Sequence, residues 1–119
     1  KAMLDRRPVT INGTGEQERD FVFGRDIARA NLLALEKGEG QIYNIGSGIG
    51  TNVNTIFDHL REITEYPLQP IRGPKKLGEV WKTYLDASKA RAELGWEVET
   101  KLDAGLERTV EFFREAKGE

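Results

Sequence analysis

Apolar residues recur along this chain with helical spacing in four places. Ile27, Ala30, Leu33 and Ala34 follow Asp26, which offers an N-cap, and Lys37 with Gly38 supplies a last turn and a stop. The pattern predicts a helix over residues 26–37. A second helix puts Val53, Ile56, Phe57, Leu60 and Ile63 on one face, with Thr51 or Asn52 as its cap. A third, short helix runs from Asp86 as cap to Gly95 as stop, and a fourth carries Leu102, Leu106, Val110 and Phe113. Lys1 to Asp5 reads as the tail of a helix without a start signal, the pattern of a chain cut upstream.

Between the helices lie short β-prone runs. Val9-Thr10-Ile11 is bounded by Pro8 and by Asn12-Gly13, and a Gly13-Thr14-Gly15 turn follows. Phe21-Val22-Phe23 and Gln41 to Ile45 read as further strands, and Ile71 as part of a short one. Residues 73–80 form a polar loop, and Trp81 to Leu85 is extended. Strands alternating with helices argue for an α/β fold. No internal repeat is visible.

Composition narrows the function classes without naming one. The 119 residues fit one domain or part of one, and a net charge of −2 leaves no electrostatic footprint for nucleic acid. No apolar run approaches the roughly 20 residues of a membrane span, and no signal-peptide pattern is present. The absence of cysteine removes disulfides and thiolate zinc sites and is compatible with a cytoplasmic location. His59 stands alone, which excludes a metal site built on paired histidines.

The candidate chemistry is sparse. Gly46-Ser47-Gly48-Ile49-Gly50 stands between a strand and a helix, the context of a dinucleotide loop, but Thr51 occupies the last glycine position of G-x-G-x-x-G. A strand-to-helix turn is the simpler reading. Arg19 reads from its surroundings as a surface residue, solvated or salt-bridged to Asp20. Asp26 and Asp86 each precede a helix, where a carboxylate satisfies free N–H groups, so capping outranks acid–base work. Trp96 is expected to pack on a neighbouring helix, Lys89 and Arg91 to face solvent, and His59 to lie on a polar helix face. None of Tyr43, Tyr66 and Tyr84 has a lysine four residues later.

In their order and spacing, five blocks resemble the C-terminal part of the extended short-chain dehydrogenases that act on nucleotide sugars. They are Arg19-Asp20-Phe21-Val22-Phe23, Tyr43-Asn44-Ile45-Gly46-Ser47-Gly48, Leu77-Gly78-Glu79-Val80, Leu85-Asp86-Ala87-Ser88-Lys89-Ala90 and Leu94-Gly95-Trp96. The likeness is closest to the UDP-glucose 4-epimerase group and covers nearly the whole chain. It implies that residues 1–119 are the nucleotide-sugar-binding C-terminal segment of an extended Rossmann-type enzyme. NAD would be bound mainly by an N-terminal part, which would also carry the catalytic tyrosine and lysine. The chain alone would then be inactive, and complete relatives pair as homodimers through N-terminal helices. The resemblance assigns Arg19 to the pyrophosphate, where a planar fork of donors suits paired oxygens. Lys76 takes the place of a second phosphate-binding arginine, with Lys75 as a substitute, and Glu79 that of the ribose-binding acid. Asn12 replaces an aromatic residue near the base. A 4,6-dehydratase or another member of the superfamily, and a free-standing nucleotide-binding module, are the alternatives.

Overall fold

A computed structural model of the chain describes residues 1–118. The elements in order are β1 (Thr10–Asn12), β2 (Glu18–Arg19), α1 (Gly24–Lys37), β3 (Thr51–Asn52), α2 (Val53–Thr64), β4 (Ile71–Gly73), α3 (Ser88–Leu94) and α4 (Leu102–Ala116). The strands form two small sheets. β1 pairs in parallel with β4, Thr10 opposite Ile71 and Asn12 opposite Gly73. β2 pairs antiparallel with β3, Arg19 opposite Thr51. The α/β reading and all four helices stand.

Two apolar clusters hold these pieces. In the first, Met3, Ile11, Phe57 and Tyr66 are buried, with Val9, Val53 and Leu60 packed on them, so α2 lies against β1. Phe57 and Tyr66 meet edge to face at 6.2 Å, and the Tyr66 hydroxyl donates to the Arg7 carbonyl at 2.7 Å. In the second, Ala30, Ala90, Leu94 and Trp96 join α1 to α3. Small residues at Ala30 and Ala90 let these helices approach closely. Each large side chain sealed this way contributes roughly 1.5–3 kcal/mol. Lys1 to Arg7 closes as a helix C-terminus does: Asp5 N donates to Lys1 O at 3.0 Å, Arg6 N to Met3 O at 3.1 Å and Arg7 N to Ala2 O at 2.9 Å, with Arg6 in the left-handed region.

Several strand and cap expectations are corrected. Gln41 to Ile45 is extended but pairs with no strand among the described residues. Tyr43 and Ile45 turn into the second cluster, and the Lys89 ammonium donates to Ile42 O at 3.0 Å and to Gln41 Oε1 at 3.1 Å. Lys89 is exposed, as expected, and also straps this segment, 4.9 Å from the Tyr43 ring. Phe21 to Phe23 is not a strand either. Pairing with Thr51–Asn52 falls earlier, at Glu18–Arg19, and Phe23 becomes the N-cap residue of α1. Asp26 consequently lies inside the first turn of α1 and does not cap it. Asn52, one of two expected caps, does cap α2, accepting from Thr55 N at 2.8 Å. Asp86 sits one residue outside the cap position Ala87 and accepts from Ser88 N at 2.9 Å and from the Ser88 hydroxyl.

Candidate functional site

β2 is the centre of the candidate site. On one side it pairs with β3. On the other it meets the segment after the polar loop, as Glu18 N donates to Trp81 O at 2.8 Å and Thr83 N to Glu18 O at 3.1 Å. Residues 74–80 thus form a strap fixed at both ends, since Gly73 belongs to the β1–β4 pair. The strap brings Glu79 to Arg19, with guanidinium to carboxylate at 3.2 Å. A second guanidinium nitrogen donates to Glu18 O at 2.7 Å. The partner of Arg19 is therefore Glu79, not Asp20. About a third of the Arg19 side chain remains exposed, so the fork keeps donors for an incoming anion.

Beside this pair lies a cavity of about 170 Å³ whose walls include Asn12, Gln17, Lys75, Glu79 and Trp81. Three residues expected at a nucleotide site, Arg19, Glu79 and Asn12, are thereby gathered in one corner. Lys75 lines the cavity, whereas Lys76 is exposed outside its lining. Lys75 is placed by the Gly13 turn, against which its Cα rests. The Asn12 carboxamide covers Gly73, where any Cβ would stand 2.6 Å from its oxygen. Asn12 thus fills space at the cavity edge as well as offering donors and acceptors. Trp81, 48 % exposed, adds a flat apolar wall that nothing in the sequence pattern assigned.

Asp20 is the residue that sequence reasoning missed. Its half-buried carboxylate accepts from Ser47 N at 2.9 Å, the Ser47 hydroxyl at 2.6 Å, Gly48 N at 3.0 Å and Leu85 N at 3.1 Å. Burial pushes its pKa up, but the Ser47 hydroxyl and the Ser47, Leu85 and Gly48 amides together outweigh that and hold it below the ordinary value. The glycine loop does bind an anion, and the anion is the protein's own. Gly46 is required by the close approach: a Cβ there would lie 2.6 Å from Asp20 Oδ2 and 2.8 Å from Leu85 Cβ. With its Ser47 and Gly48 amides held by Asp20, this loop does not fit a dinucleotide phosphate, so no NAD chemistry is assigned to it.

Other singled-out residues lie elsewhere. Asp26, 2 % exposed, accepts from Glu99 N at 3.2 Å and Thr100 N at 3.1 Å, and pairs with Arg29 at 3.4 Å. The Trp96 indole donates to Asp26 O at 2.8 Å, which places Trp96 on α1 as expected. His59 faces an open, acidic groove between α2 and α4 with Glu62, Asp103 and Glu107. Among the described residues no group of histidines and carboxylates is arranged to hold a metal ion, and no helix is long and apolar enough to cross a membrane.

Comparison with known proteins places this architecture. Residues 1–46 match the NAD dependent epimerase/dehydratase family. The solved UDP-glucose 4-epimerase of Thermotoga maritima, a complex with UDP-glucose, superposes with a TM-score of 0.95 at 47 % identity over 98 % of this chain and 38 % of that one. Over the matched stretches the chain is similar to this epimerase/dehydratase family. The UDP-glucose 4-epimerase of Mycolicibacterium smegmatis is 35 % identical over 96 % of this chain and 37 % of its own length. The dTDP-glucose 4,6-dehydratase of Salmonella typhimurium is 34 % identical over 92 % of this chain and 33 % of its own length. The chain spans about a third of the length of the curated relatives it matches.

Proposed function

We propose that this chain is the nucleotide-sugar-binding part of an NAD-dependent 4-epimerase of the UDP-glucose/UDP-galactose type. The observation that carries the reading is the meeting of Arg19 and Glu79, distant in sequence, at 3.2 Å beside a cavity walled by Asn12, Lys75 and Trp81. A pyrophosphate approaching Arg19 offers paired oxygens to its planar fork and displaces the Glu79 carboxylate by like-charge repulsion. Glu79, released, accepts from the ribose hydroxyls. Lys75, and Lys76 from further out on the strap, add positive charge. Trp81 and Asn12 bound the base.

Held by nucleotide and pyrophosphate, the sugar is left free to turn. NAD supplies the hydride chemistry when bound by the remainder of a full-length enzyme, and the residues described here bind and orient. The reading carries with it a role in carbohydrate metabolism, a cytoplasmic location and a homodimeric full-length enzyme. Its test is Arg19→Ala in the full gene product. KM for UDP-glucose is expected to rise about tenfold or more, the effect of losing a charge-assisted pair. An unchanged KM would remove Arg19 from the site.

A nucleotide-sugar 4,6-dehydratase is the second reading, favoured by the similarity to a dTDP-glucose 4,6-dehydratase. Product analysis separates them: an epimerised sugar supports the first, a 4-keto-6-deoxy sugar the second. A free-standing binding module is the third, and micromolar UDP binding by the isolated chain supports it.

A further inference from the structure

The parallel bridge between β2 and the segment after the strap stops in an unusual way. Trp81 O and Thr83 N both bond the Glu18 backbone, so the next rung of a parallel ladder would bring Leu85 N to the backbone carbonyl of residue 20. Leu85 N donates to Asp20 Oδ2 at 3.1 Å instead. The side chain takes the place of the rung and, on its other side, holds Ser47 and Gly48 of the glycine loop.

We propose that Asp20 is a positioning residue for nucleotide binding. It acts by locking β2, the glycine loop and the downstream anchor of the strap into one junction. The proposal rests on the reading of Arg19 and Glu79 given above. Arg19 is the neighbour of Asp20 in the chain, and Glu79 lies two residues before Trp81, where the strap rejoins β2. The junction therefore fixes both the base of the arginine and the point from which Glu79 reaches it. Only an ionised carboxylate fits. Asparagine would turn an amide donor toward the Ser47, Gly48 or Leu85 donors, and glutamate would press its extra methylene toward Gly46.

The experiment measures UDP affinity by calorimetry and UDP-glucose kinetics for the full gene product and its Asp20→Asn, Ser47→Ala and Arg19→Ala variants, alongside urea unfolding. Asp20→Asn is expected to weaken UDP about tenfold and to raise KM much more than it lowers kcat. Ser47→Ala removes one of the four bonds to the carboxylate and is expected to weaken UDP about threefold while remaining folded. If both variants lower the urea midpoint yet bind UDP as the parent does, Asp20 holds only the fold and the proposal is overturned. If Asp20→Asn fails to fold, an unchanged UDP affinity in Ser47→Ala overturns it alone. Arg19→Ala separates the two readings. Unchanged affinity there defeats the site itself, whereas weakened affinity there with unchanged affinity in the other two defeats only the role of Asp20.

Discussion

Asp20 and Asp26 use the same chemistry to different ends. Both carboxylates gather backbone amides from segments far away in the chain, Asp20 from residues 47, 48 and 85 and Asp26 from residues 99 and 100. Asp26 is buried, with the Trp96 indole on its backbone carbonyl and Arg29 beside its carboxylate. Asp20 adjoins Arg19, whose fork keeps exposed donors next to the cavity bounded by Lys75 and Glu79. What a buried carboxylate does is thus decided by its neighbours. One corner stores stability, and the other holds a partly unspent cation where a ligand can reach it.

That contrast can be broken by substitution. Asp26→Ala strands the Glu99 and Thr100 amides and removes one of the two carboxylates paired with Arg29, so a loss of roughly 3 kcal/mol is expected in urea denaturation. A loss below about 1 kcal/mol would place Asp26 outside the frame of the fold. Arg19→Ala should behave in the opposite way. Its ion pair with Glu79 is partly exposed, so unfolding should shift by less than about 1 kcal/mol while nucleotide affinity falls. A smaller difference distinguishes the two lysines of the strap. Lys75→Ala is expected to weaken UDP binding about threefold and Lys76→Ala less, because only Lys75 lines the cavity. Equal effects would mean that the strap's charge, not its geometry, matters.

Acid titration gives the mildest test. Asp20 and Asp5 both have folded-state pKa values below the ordinary one. For Asp5, hydrogen bonds from Lys117 and Arg7 pull it from 3.8 to about 2. A depressed carboxylate contributes stability above its unfolded pKa, and that contribution is lost as pH falls through the folded value. Stability should therefore be flat in these groups above pH about 5 and decline below about 4, with Asp20→Asn showing a shallower decline. An identical acid limb in parent and variant would contradict the pKa direction of Asp20.

The helices were legible because their apolar spacing is local. Phe57, Leu60 and Val110 announce buried faces without knowledge of anything distant. The sheets were less so. A strand exists only where a partner runs beside it, and Gln41 to Ile45, β-prone by composition, is paired with no strand among the described residues and is held by Lys89. Arg19 and Glu79 could be marked from sequence blocks, but their meeting depends on the strap being fixed at both ends. Asp20 was invisible for a related reason: its partners Ser47, Gly48 and Leu85 lie 27 to 65 residues away. A carboxylate followed at a distance by a glycine loop rich in free amides was the only signal. Asp26 misled because a carboxylate near a helix start ordinarily caps it, and here Phe23 holds that place.

The most direct test of the central claim is a crystal structure of the full gene product with UDP bound. The account predicts pyrophosphate oxygens within hydrogen-bond distance, about 3 Å, of the Arg19 guanidinium, with Glu79 turned from Arg19 to the ribose hydroxyls. UDP bound elsewhere, with the Arg19–Glu79 ion pair intact, would contradict it.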